Sequence, residues 1–158
     1  MLPRNGLDQT SPARPQDVQV RVLNGNGESR QAALISDELT TFGFTKGGPA
    51  DNDPVYPRYD LRCHGQIRFG PAGAAGARTL SLVIPCAQLV RDERQGAGVD
   101  LALGSAFKDI KTTAEAKQVL EELRNWTPPR DQQGGARQEV RSPPINNDQL
   151  SEAREVHC

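Results

Sequence analysis

Valine alternates with polar residues along 18–23, where Gln19 and Arg21 separate Val18, Val20 and Val22. A period of two marks a strand with one buried face. The strand stops at Asn24-Gly25-Asn26-Gly27, and from Glu28 the period lengthens. Ala32, Ile35, Leu39 and Phe42 recur at helical spacing. Gly43 is placed to end that helix as a left-handed cap, with Phe44 folding back onto its last turn. Residues 45–60 are rich in Gly, Asp and Pro and predict one short irregular strand and a loop. Gln66-Ile67-Arg68-Phe69 is a second clear strand. Ala72, Ala75, Thr79, Leu80 and Val83 fit a helix ended by Pro85. Gly73 and Gly76 lower its propensity, and 79–84 alone would pass as a strand. Ala87-Gln88-Leu89-Val90 and Val99-Asp100-Leu101-Ala102-Leu103 are strands on either side of a polar turn holding Gly96 and Gly98.

The order strand, helix, strand, strand, helix, strand, strand predicts an α/β fold over residues 17–110. It is a small two-layer sandwich, with two helices on one face of a mixed sheet. Beyond it, Thr112 and Glu115 have the spacing of a capping box. Ala116, Val119, Leu120, Leu123 and Trp126 form one apolar stripe. A third, amphipathic helix is therefore predicted over 111–127, packed on the domain or on a partner. Residues 1–16, with Pro3, Pro12 and Pro15 among polar neighbours, read as a flexible lead-in. Residues 128–158 read as a flexible tail. A short terminal helix is predicted at 148–156, with Leu150, Ala153 and Val156 on one side. With so little to bury, the tail should be removable without harm to the core.

The composition sharpens this outline. Hydrophobic residues make up 35% and aromatics 4%, below ordinary globular usage. A net charge of −1 without a basic block argues against a nucleic-acid partner held by counterion release. No apolar run approaches the roughly 18 residues of a membrane helix. No apolar stretch follows Met1-Leu2-Pro3-Arg4, as a signal peptide would require. Either the protein is cytosolic, or this is the soluble part of one whose anchor or signal lies elsewhere.

Three sets of residues are candidates for chemistry. The first is the loop Asn24, Gly25, Asn26 and Gly27, since strand, glycine loop and helix also open nucleotide sites. A dinucleotide fingerprint needs a third glycine where Arg30 stands, and no phosphate-loop lysine follows. A tight turn is the favoured reading. A small anion or sugar site at the helix start is the sharper one, because unpaired N–H groups collect there. The second set is Cys63, Cys86, Cys158 and the histidines. No C-x₂-C or H-x₃-H pair preorganises zinc. Neighbours on a strand point to opposite faces, so His64 is badly placed to deprotonate Cys63. The third is Asp51-Asn52-Asp53, which lacks the rest of a calcium loop and reads as a turn. No metal, cofactor or catalytic residue is predicted.

A disulfide accounts for more. The chain rises along the 66–69 strand and returns along the following helix. That brings Cys63 and Cys86 to the same end of the sheet. A Cys63–Cys86 bridge would add about 3 kcal/mol and would place the protein outside the cytoplasm.

The stretch VRVLNGNGESRQAALISDELTTFGF, residues 20–44, resembles the opening of the LytR C-terminal domain family, small extracytoplasmic modules of actinobacterial envelope proteins. VDLALGSAF, residues 99–107, matches its closing strand and L-G-x-x-F motif. CHGQIRFG and IPC strengthen the likeness, which covers roughly 17–110. The resemblance implies a single N-terminal membrane helix outside this chain, with the domain on the outer side. It implies a role in envelope integrity, no catalytic residues, and an envelope partner: peptidoglycan, a lipid-linked glycan or a membrane protein. The ligase domain found upstream in some relatives is absent. The alternative is a small enzyme acting on an anionic or glycan envelope precursor at the 24–27 loop. Cys158, left over, is expected to pair with a cysteine N-terminal to this chain, or to stay unpaired.

Overall fold

The computed structural model describes residues 1–3, 5–28, 30–110, 112–126, 145 and 147–154. The alternating valines form β1 (Gln19–Asn24), with Val20 and Val22 buried. Strand gives way to α1 (Gln31–Thr41), which the predicted glycine cap closes. Gly43 has φ +102. Its N–H donates to Thr40 O, and Phe44 N–H reaches back to Leu39 O. This doubly bonded cap satisfies carbonyls the helix leaves unpaired and buries Phe44.

Where one irregular strand was expected there are two very short ones, β2 (Thr45–Lys46) and β3 (Asp51–Asn52). Both pair parallel with β1 along one edge, opposite Gln19 and Val20 and then Leu23 and Asn24. β4 (Gly65–Phe69) follows, then a single 3-10 turn and α2 (Ala74–Ser81). The ambiguous 72–84 segment is thus helical, and the helix stops before Pro85. β5 (Gln88–Arg91) and β6 (Val99–Leu103) complete a mixed sheet of order β2-β1-β6-β4-β5, with β3 also on β1. β6 runs parallel to β1 and antiparallel to β4.

Residue parity assigns the two faces. Val20 and Val22, Ile67 and Phe69, Leu89, and Leu101 and Leu103 share one core with Ile35, Leu39 and Leu80 of the helices. Leu23 and Ala102 belong to a small second cluster with Leu61 on the opposite face. The helices therefore cover one side of the sheet, the expected two-layer arrangement.

α3 (Ala114–Asn125) carries the predicted stripe, and Ala116, Val119, Leu120 and Leu123 are all buried in the helix-side core. It packs on its own domain. Its cap is one residue later than the spacing suggested: Thr113 Oγ1 accepts from Ala116 N–H at 3.0 Å. α4 (Asn147–Ala153) then lies on α3, with Leu150 and Ala153 buried in the same core. The tail thus has more to bury than its polar composition implies. Val156 lies outside the described residues.

The lead-in is also docked. Leu2 N–H donates to Leu89 O, Leu7 is buried, and Ala13 N–H donates to Ala75 O. The buried Arg78 donates to Asp8 O and Thr10 O, both at 2.7 Å. Two isolated leucines give no period to read, yet a guanidinium from α2 fastens the segment between them. Among the described residues no helix is long and apolar enough to cross a membrane.

Candidate functional site

Parallel pairing brings the C-terminal ends of β1 and β6 side by side, so Asn24 and Leu103 finish at one end of the sheet. The 24–27 loop is built there from its own side chains. Asn24 Oδ1 accepts from Asn26 N–H at 3.1 Å and Gly27 N–H at 2.9 Å, and Asn26 Oδ1 accepts from Glu28 N–H at 2.8 Å. Gly25 N–H donates to Leu103 O at 3.0 Å. Asn26 Nδ2 donates to Gly104 O at 2.9 Å and Gln31 Oε1 at 2.7 Å. The four N–H groups that would cradle an anion are all engaged inside the loop or with β6. Gly25 is required by packing, since a Cβ there would stand 2.8 Å from Leu103 O. Gly27 is required by conformation, at φ +82. The loop is a turn by construction. All four candidate residues meet in it, and what it offers outward is its edge, not its amides.

A second loop, 53–64, lies against the first. Leu61 N–H donates to Gly25 O, and the Tyr59 side chain stands 3.3 Å from where a Gly27 Cβ would be. Tyr59 itself has φ 59, a region that costs a side chain about 1–2 kcal/mol. It remains 41% exposed, and Val55 is 60% exposed. Together Gly27, Val55 and Tyr59 make a partly apolar ridge at this end of the sheet.

The second loop is held by a charged cluster that sequence reading missed. Arg68, on the helix-free face, donates to both carboxylate oxygens of Asp53 at 2.7 and 2.8 Å and also to Gln66 Oε1. Both partners are buried, and the guanidinium sits 5.7 Å from the Tyr56 ring centroid. Gln66 Nε2 continues the row to Gln88 Oε1. Farther along, Arg94 bridges Asp92 and Asp100, and Asp100 also accepts from Arg21. The hydrogen bond from Arg94 holds the Asp92 carboxyl below the usual carboxylate range, and the same bond raises Arg94. The alternation of Gln66 and Arg68 with Ile67 and Phe69 suggested a solvated face. Loop 53–64 covers it instead, and Asp53 is the residue of the presumed turn that does so.

The cysteines correct the predicted bridge. Cys63 is a free thiol that donates to Gly65 O at 3.3 Å, and burial pushes its pKa up. Cys63 and Cys86 do reach the same end of the sheet: His64, next to Cys63, lines a cavity of about 110 Å³ with Cys86 and Phe107. The faces differ. Cys63 packs with Leu23, Leu61 and Ala102 on the helix-free side, whereas Ile84 and Ala87, flanking Cys86, belong to the helix-side core. Alternation along the chain turns His64, not Cys63, toward Cys86. Cys158 lies outside the described residues. Among those residues no group of three or more His, Cys, Asp or Glu is placed to hold a metal.

The L-G-x-x-F motif also acquires a physical reason. A Cβ on Gly104 would fall 1.9 Å from Cys63 O, so only glycine lets β6 pass the start of β4. Ser105 N–H and Ala106 N–H then bond to Leu61 O and Cys63 O, and Phe107 closes the helix-side core.

Known proteins share this arrangement. Residues 17–107 match the family model described as LytR cell envelope-related transcriptional attenuator. The cell envelope integrity protein Cei of Mycobacterium tuberculosis (strain ATCC 25618 / H37Rv) is 43% identical over 121 residues, which are 77% of this chain and 56% of Cei. This chain thus spans little more than half the length of that relative. The crystal structure of the soluble domain of a conserved hypothetical secreted protein from Mycobacterium marinum superposes with a TM-score of 0.81 at 35% identity, covering 99% of this chain and 96% of that one. These relationships place the domain outside the cytoplasm, at the cell envelope. With its strand, asparagine–glycine turn, capped helix and closing L-G-x-x-F, the chain belongs to the LytR C-terminal domain family.

Proposed function

We propose that the chain is the non-catalytic binding domain of a membrane-anchored protein that supports cell envelope integrity. Its ligand is an envelope component: peptidoglycan, a lipid-linked glycan or a membrane protein. It meets that ligand at the ridge formed by the 24–27 loop and loop 53–64. The anchor rests on the family resemblance, and the envelope role on the relative named for it.

The observation that carries a binding reading over a catalytic one is the pairing of charge beside the ridge. Acid–base or nucleophilic catalysis needs a titratable group poised in a cleft. Asp53, Asp92 and Asp100 are each bonded to an arginine instead. What stands outward is Val55, Tyr59 and the Gly27 backbone, an amphipathic contact surface of the kind an aromatic side chain favours.

Retention assays on purified peptidoglycan, on vesicles carrying lipid-linked precursor and on solubilised envelope membrane proteins test the proposal. One fraction should retain the protein, and Val55→Asp with Tyr59→Ala should cut that retention about tenfold, a change of about 1.4 kcal/mol, without moving the melting temperature. Equal retention by the double variant would remove the ridge from the mechanism. Consumption of the precursor by the pure domain would replace binding with catalysis.

A further inference from the structure

The chain has three cysteines. Cys63 is a free thiol, bonded to Gly65 O on the helix-free face. Cys86 is disulfide-bonded, so its partner is not Cys63. One cysteine remains. We propose that Cys86 and Cys158 form an intramolecular disulfide, a strap that fastens the C-terminal end of the chain over the α3–α4 side of the domain.

The described residues bring both ends of such a strap within reach. Asp109 lines the same small cavity as Cys86. Four residues on, Thr113 Oγ1 donates to Ala153 O at 3.0 Å and so pins the last residue of α4 beside the start of α3. Leu150 and Ala153 are seated in the helix-side core, the side on which Cys86 lies. Cys158 follows Ala153 by five residues, a span of up to roughly 17 Å. No cysteine from outside the chain is needed, which replaces the earlier expectation for Cys158.

The bond forms by thiol–disulfide exchange. Two thiols of this chain give one S–S bond, while the disulfide of an oxidising partner, protein or small molecule, takes up two electrons and two protons and becomes two thiols. A domain outside the cytoplasm meets such oxidants. Cys63 takes no part, because it sits on the wrong face and its raised pKa keeps it protonated and unreactive.

The bridge closes a loop of roughly 70 residues, long enough for a large effect on the unfolded chain. It also holds in place a helix of seven residues, too short to persist undocked.

The test is peptide mapping of the unreduced chain after alkylation in denaturant. The expected result is one alkylated cysteine, Cys63, and one linked peptide pair joining Cys86 to the C-terminal peptide in a monomer. Cys158→Ser and Cys86→Ser should each expose a second alkylatable thiol and lower the melting temperature by about 10 °C, whereas Cys63→Ser should leave the linked pair intact. Alkylated Cys158 in the wild-type monomer overturns the proposal, as does a Cys63–Cys86 pair or a linkage found only in a covalent dimer. The wild-type map decides even if a serine variant folds poorly.

Discussion

Removing the Asp53 carboxylate should destabilise the domain far more than removing an average surface charge. Asp53 and Arg68 are 0% and 6% exposed in their side chains. The guanidinium makes two bonds to that carboxylate and two to Gln66 Oε1. Asp53→Ala leaves a buried cation with one neutral acceptor and the Tyr56 ring. Breaking one side of a buried pair costs about 3–5 kcal/mol, whereas replacing both sides with apolar residues of similar volume is close to neutral or stabilising. Urea unfolding with an m-value near 2 kcal/mol/M would then show a midpoint lower by roughly 2 M for Asp53→Ala. Asp53→Leu with Arg68→Met should recover to within about 1 kcal/mol of the wild type. Hydrogen exchange of amides 54–61 gives a second readout, since the pair is what holds that loop on the sheet. An Asp53→Ala variant that loses less than about 1 kcal/mol would refute the argument, because water would then have to solvate Arg68 in place of the carboxylate.

Gly104→Ala should abolish stable folding or cost more than about 3 kcal/mol, given the 1.9 Å approach to Cys63 O, while Gly96→Ala, which meets nothing within 4 Å, should shift the melting temperature by under about 2 °C. Leu150→Ala should cost about 2–3 kcal/mol in urea unfolding, and deletion of 128–158 should cost at least as much, because Leu150 is 2% exposed. Asp92 titrates below its unfolded value of about 3.9, so its bond to Arg94 contributes fully above about pH 5 and is lost as pH falls through the depressed folded value. The gap in denaturation midpoint between wild type and Asp92→Asn should therefore be constant from neutral pH down to about 5 and close at lower pH.

What could be read from sequence depended on whether a residue's partners lay within its own element. β1, α1 and β6 were legible because their periods are long and uninterrupted, and the Gly43 cap because its partners sit three and five residues away. Residues 1–16 were not, because Leu2 and Leu7 are docked by β5 and by Arg78, neither of which leaves a mark on the local pattern. The second face of the sheet misled for a similar reason: Gln66 and Arg68 alternate as solvated residues do, and only the return of Asp53 from a loop 15 residues upstream buries them. The cysteines show how topology alone falls short. Strand–helix–strand return put Cys63 and Cys86 at the correct end of the sheet, but the side on which each thiol lies depends on a one-residue parity. The 24–27 loop was legible as a turn, yet the anchoring of Asn26 to Gly104 connects segments 78 positions apart.

β6 sits between β1 and β4 in space but follows both in sequence. A chain emerging from export without its 99–103 segment would hold two half-sheets, β1 with its short edge strands and β4 with β5. Each would present an unpaired apolar strand toward an empty slot. The central pairing must wait for a closure across roughly 80 residues, which makes it slow relative to the local helices. During that interval the slot in one copy is open to the β6 of another, the geometry from which strand exchange between molecules arises.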